Sequence, residues 1–132
     1  MNRFGKQAGC LTGAVLALAF MLTSAATHAA DGLKLLMFEQ DACIWCEAWN
    51  RQIGPAYPNS WEGKVAPLDR VDIHNGNRRD YQIRPWPRHT PTFVLIENGR
   101  EVGRITGYPG EDFFWPMLDE IFGRAGIKEP SG

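Results

Sequence analysis

The sequence predicts an α/β domain: a small central sheet of four strands flanked by helices. Three observations carry that expectation. Apolar runs of strand length recur along the chain, helical periodicity follows the first of them and closes the chain, and an Asn98-Gly99 dipeptide links the last two runs as a tight hairpin. Short strands mixed with helices in one compact stretch form a layered α/β core, and about 100 residues suffice for it.

The first element is not part of that core. Arg3 and Lys6 precede an uncharged 16-residue run, Leu11 to Ala26, which gives way to small residues before Asp31. This is the order of a secretory leader, and the run is shorter than the roughly 20 residues that span a bilayer. Residues 1–30 are therefore expected to be removed, by cleavage after Ala29 or Ala30, and residues 31–132 to form the exported domain. Cys10 leaves with the leader, so of the three cysteines only Cys43 and Cys46 stay, in a compartment where disulfides persist. Twelve basic groups then face fifteen acidic ones, a net charge of −3. That balance excludes a nucleic-acid partner or an anionic membrane surface. A soluble monomer with no membrane insertion is expected.

Leu33 to Phe38 (LKLLMF) reads as a strand buried on both faces and so paired in parallel with another. From Cys43 the period changes. Trp45, Cys46, Trp49 and Ile53 fall on one helical face until Gly54-Pro55 ends it. After a loop, Ala66 to Ile73 alternates imperfectly and predicts a second strand, and Arg79 to Ile83 predicts one helical turn. Thr92 to Glu97 (TFVLIE) is an unbroken β-branched and aromatic run, and Glu101 to Thr106 returns as its antiparallel partner. Gly107-Tyr108-Pro109-Gly110 ends the hairpin. Asp112 is the expected cap of a last helix with Phe114, Leu118, Ile121 and Phe122 inward and Pro116 near its first turn.

The chemistry lies in Cys43-Ile44-Trp45-Cys46, where a strand ends and a helix begins. Two intervening residues in a first helical turn bring two sulfurs within bonding reach. The free N–H groups and partial positive charge of a helix N-terminus favour a thiolate at Cys43, the species that attacks a disulfide. Cys46, one turn in, is expected to be buried and to resolve the mixed disulfide. Other readings stand beside this one: a metal-binding module using the cysteines with His74 and His89, or a purely structural disulfide, although a loop this short removes little chain entropy. Glu39, Asp41 and Glu47 crowd negative charge near the pair and oppose the thiolate. Trp45 is either an exposed partner contact or a core residue. A proline such as Pro91, taken alone, is more often an ordinary trans turn residue.

Together the strand, the Cys-x-x-Cys opening a helix, Thr90-Pro91 before a central strand, the Asn-Gly hairpin, Gly107 and the amphipathic last helix resemble the thioredoxin-fold family, across the whole domain. The resemblance implies a redox-active Cys43–Cys46 disulfide with no other cofactor, a nucleophilic Cys43, a resolving Cys46 and a cis-proline at Pro91. It also implies substrate backbone bound at Thr90 and Gly107, with Trp45 and Tyr108 as apolar contacts. More narrowly, Phe38-Glu39-Gln40, Gly54-Pro55-Ala56-Tyr57-Pro58, Arg70 to His74 and Gly107 to Trp115 resemble the periplasmic SoxS-type thioredoxins of bacterial sulfur-oxidation operons. That implies a periplasmic reductant of the SoxYZ carrier, supplied with electrons by a membrane thiol transporter of the CcdA or DsbD kind; the alternative is an oxidase that donates its disulfide. The sequence departs from the thioredoxins in several ways. Ala42 precedes the motif, Ile44-Trp45 replaces Gly-Pro, and Met37 stands where they carry a buried aspartate, which leaves a neighbouring carboxylate such as Glu39, or water, to take the Cys46 proton. A leading strand and helix are absent, so the sheet is minimal and glutaredoxin-like.

Overall fold

The computed structural model describes residues 32–131, so the expected leader and Cys10 lie outside the described residues. The elements run β1 (Leu33–Glu39), α1 (Ile44–Gln52), a 3-10 turn (Tyr57–Asn59), α2 (Trp61–Val65), β2 (Leu68–Asp72), β3 (Thr92–Glu97), β4 (Arg100–Thr106) and α3 (Glu111–Arg124). The four strands form one sheet in the order β2-β1-β3-β4, with β1 parallel to β2 and antiparallel to β3, and β3 antiparallel to β4. Beneath Gly32, whose carbonyl accepts from Asn98 N–H at 2.7 Å, β1 starts beside the Asn98-Gly99 turn. It ends at the opposite edge of the sheet, where Phe38 pairs with Thr92.

Alternation along β1 and β3 sorts side chains onto two faces. Leu35, Met37, Phe93 and Leu95 meet Trp49 of α1 and Phe114, Leu118 and Phe122 of α3. Each such large apolar side chain, fully buried, contributes about 1.5–3 kcal/mol. Gly103 lets α3 lie close on β4, since a Cβ there would meet Ile121 Cγ2 at 2.5 Å. On the other face Leu36, Phe38, Val94 and Ile96 are covered by Ile83, with Tyr81 and Trp86 half-buried beside it. These three belong to the irregular segment 73–91 between β2 and β3, here called the strap.

The strap overturns the expected helical turn at Arg79 to Ile83. The Gln82 N–H donates to Gly99 O at 2.7 Å, forming a lone bridge to β4, so it cannot close a helical ring. Its chain contains two cis peptide bonds, Arg84–Pro85 and Thr90–Pro91. The second strand is shorter than Ala66 to Ile73, and its imperfect alternation has a cause: Leu68 joins the helix-side core while Val71 and Ile73 join the strap side. The loop expected before it contains α2, capped by Ser60 Oγ accepting from Gly63 N–H at 3.0 Å. The last helix begins at Glu111 behind Gly110, whose φ of +99° suits a residue without a side chain. Asp112 thus lies in the first turn and is not the cap. Pro116 is the sixth helical residue, beyond the first turn where proline is most easily accommodated. The helix passes through it with Pro116 on its exposed side.

Candidate active site

A left-handed Ala42 (φ +56°) turns the chain out of β1, and Cys43 follows as the N-cap of α1. Cys43 and Cys46 form a disulfide with their Cα atoms 5.2 Å apart. Cys43 Sγ also accepts from Cys46 N–H at 3.1 Å, so one of the helix's unpaired first-turn donors points at this sulfur. A negative charge on that sulfur would be stabilised by the same donor and by the positive end of the helix. The cysteines are 7% and 4% exposed, whereas Ile44 is 67% and Trp45 58% exposed. Trp45 therefore does not share the face of Cys46, Trp49 and Ile53; a step of one residue turns about 100° around a helix. An apolar surface thus borders a largely covered pair.

Beside the pair opens a polar cleft of about 340 Å³, lined by Glu39, Asp41, Cys43, Cys46, Asn50 and Arg70 among others. Met37 is fully buried, and its sulfur lies 3.6 Å from Arg70 Nη1. Arg70 Nη1 donates to Glu39 Oε2 at 2.6 Å and Nη2 to Asn50 Oδ1 at 2.8 Å, with the guanidinium 5.9 Å from the Trp49 ring centre. Glu39 is thus held at the cleft that Cys46 also lines. Sequence reasoning missed Arg70. The signal was available in principle, because Arg70 is two residues from inward-facing Leu68 and parallel pairing sets it opposite Met37. At the cleft's rim Asp72 accepts from His74 and Asn75 N–H at 2.8 and 2.7 Å, and those bonds hold its carboxyl below the ordinary value.

Pro91 is buried and follows a cis bond; because Phe38 pairs with Thr92, the Thr90-Pro91 step sits at the same end of the sheet as the disulfide. Pro91 O accepts from Gly107 N–H at 2.8 Å, which brings Thr90 and Gly107 into one ridge. Tyr108 donates its hydroxyl to Gln52 Oε1 at 2.6 Å and packs its ring 6.1 Å from Phe114, tying the ridge to α1 and α3. Partial burial, with Glu111 and Asp112 nearby, raises its phenol above the ordinary value, so it stays a neutral donor. His74 Nε2 lies 3.1 Å from Gln40 Oε1 and His89 is an exposed strap residue. Among the described residues no group of three or more His, Cys, Asp or Glu gathers to hold a metal ion, and no helix is long and apolar enough to cross a membrane.

No family model and no curated protein matches the chain. Among solved structures, it is similar to the periplasmic thioredoxin SoxS from Paracoccus pantotrophus in its reduced form: 45% identity, 70% of this chain and 98% of that one, TM-score 0.68. The fold is shared with Fasciola hepatica thioredoxin (21% identity, 67% and 80% covered, TM-score 0.51). It is shared equally with the Malassezia sympodialis thioredoxin (19% identity, 70% and 79% covered, TM-score 0.51).

Proposed function

The chain belongs to the thioredoxin family of thiol–disulfide oxidoreductases, and on that premise we propose that it is a periplasmic reductant of a protein disulfide or cysteine adduct, with the SoxYZ carrier as its substrate. The observation that carries this reading is the Cys43–Cys46 disulfide at the head of α1, in a chain 45% identical to a periplasmic thioredoxin. Residues 1–30 direct export and are cleaved, leaving 31–132 as the working domain.

In the reduced protein the Cys43 thiolate, stabilised by Cys46 N–H and the helix end, attacks one sulfur of the substrate's S–S bond. The first substrate sulfur leaves as a thiolate and a mixed disulfide forms at Cys43. Cys46 then gives up its proton and attacks Cys43 Sγ. The second substrate sulfur leaves, and two electrons have passed to the substrate while Cys43–Cys46 closes. Glu39, held at the cleft by Arg70, accepts the Cys46 proton. Trp45 and Tyr108 receive apolar substrate surface, and Thr90 and Gly107 bind its backbone beside Pro91. A membrane thiol transporter of the CcdA or DsbD kind returns the pair to its dithiol.

Cys46→Ser leaves the nucleophile and removes the resolving thiol, so expression of this variant in the native host should accumulate a thiol-cleavable conjugate containing SoxYZ. A conjugate with other proteins only would overturn the substrate assignment. No conjugate at all, with full activity in Cys43→Ser, would overturn the mechanism. Mass measurement of the exported form should begin at Ala30 or Asp31.

A further inference from the structure

A second cleft, larger than the one at the disulfide, opens elsewhere on the molecule. It has a volume of about 1140 Å³ and lies between the strap and β4, with no lining residue in common with the cleft at Cys43. Arg78, Arg79, Arg84 and Arg100 line it, together with Tyr81 and Trp86. Among the described residues, none of these four arginines has a carboxylate partner within salt-bridge distance. The one acid in the lining, Glu101, is held by Arg104 through two hydrogen bonds of 2.5 and 2.6 Å. Asp80, next in the strap, accepts from Asn77 Nδ2 at 2.8 Å.

Two of the guanidinium groups are already positioned. Arg78 lies 5.1 Å over the Trp86 ring, and Trp86 is fixed by its N–H donating to Ile73 O at 3.1 Å and by edge-on packing against Phe38. Arg100 Nε donates to Gln82 Oε1 at 3.3 Å. Planar guanidinium forks match carboxylates bidentately, and side chains ordered before binding lose less entropy when they bind. The cleft also borders an edge strand, β4, whose outer side has a single backbone bridge, at Gln82. Such an edge can receive a further strand.

We propose that this cleft binds an extended acidic segment of a partner protein, carboxylates against the four arginines and backbone along the β4 edge, independently of the redox pair. Its volume exceeds the roughly 300–1,000 Å³ usual for small-molecule pockets and suits a length of chain. Charge separation over the molecule favours the same occupant. The cleft at the disulfide is lined by Glu39, Asp41, Glu47 and Asp72 against Arg70 alone, whereas the strap cleft sets four arginines against Glu101, so an acidic segment is drawn to the second and disfavoured at the first. A long polyphosphate chain would extend beyond the cleft onto a chain that carries no basic excess.

The test is fluorescence anisotropy of a labelled hexaglutamate peptide titrated with the exported protein. Saturable binding that weakens with added salt is expected, with a loss of at least about tenfold in affinity in Arg78→Glu/Arg84→Glu while insulin reduction is retained. Arg79→Gln/Arg100→Gln, which alters two exposed side chains without reversing charge, should show a smaller loss and covers the case in which the first variant misfolds. Absence of saturable binding at low salt, or binding unchanged in both variants, overturns the proposal. So does tighter, variant-sensitive binding of a single-stranded oligonucleotide of equal charge, which would assign the cleft to nucleic acid.

Discussion

The two faces of the sheet are equally apolar along β1 and β3 but are covered in different ways. On one face the three helices supply the cover, and aromatic rings meet there in sequence: Trp49 lies 5.2 Å from Phe93 and 5.8 Å from Phe114 between ring centres, and Phe93 lies 4.9 Å from Phe114. On the other face four side chains of an irregular segment, Ile73, Tyr81, Ile83 and Trp86, do the same work, two of them half-buried. The reacting sulfurs sit on the helix side, where Trp49 of α1 packs against Tyr57, Phe93 and Phe114. The strap side instead presents Arg78, Arg79 and Arg84 to solvent, in the cleft proposed above for an acidic segment. Rigid packing thus accompanies the chemistry, and the looser cover carries charge that packing does not need.

Phe114→Ala should show the largest effect. It empties the centre of the ring cluster and is expected to destabilise the domain by about 3–5 kcal/mol in a denaturant titration. Trp86→Ala should cost less, about 1–2 kcal/mol, because the ring is half-buried, and insulin reduction should change by no more than about twofold. A loss matching Phe114→Ala would show that the strap is as integral as the helices and would break the comparison. Hydrogen exchange sharpens it: amides of 74–89 should exchange well before those of β1 and β3.

The smallest effect concerns pH. Asp119 of α3 has its carboxyl raised above the ordinary value, first by partial burial and then by the Glu62 carboxylate and a hydrogen bond to it, with Glu129 adding to the repulsion. A raised folded value means that this contribution to stability is present below the ordinary carboxylate range and is lost as pH rises through the folded value. Glu62→Gln should therefore raise the melting temperature at neutral pH and leave it nearly unchanged near pH 4. An equal shift at both values would show a packing effect instead of a charge effect.

What could be read from the chain in advance was what is locally encoded. Thr92 to Glu97 matches β3 from end to end because its residues, its burial and the Asn98-Gly99 turn all agree. The start of α1 at Cys43 was legible from the change of period. The strap was not, because its course depends on long-range partners: Gly99 O for Gln82 N–H and Ile73 O for the Trp86 indole. Trp45 was ambiguous because its i, i+4 relation to Trp49 is compatible with a shared face, and only the buried position of Cys46 fixes the helix's rotation. Arg70 escaped notice because its significance depends on which strand lies beside β2. The same dependence on distant segments hid the arginine cleft, whose lining comes from the strap and from β4.

The hydrogen bond between Gly32 and Asn98 decides how the molecule can be attached to anything else. It fixes the entry of β1 at the hairpin end, and seven residues of strand then carry the chain roughly 20 Å before the cysteines are reached. An affinity handle, a fusion partner or an electrode linker placed ahead of Gly32 would hold the domain from its far pole. The sulfurs would then face outward, which makes this side of the chain the one to choose for immobilising the protein in a working orientation.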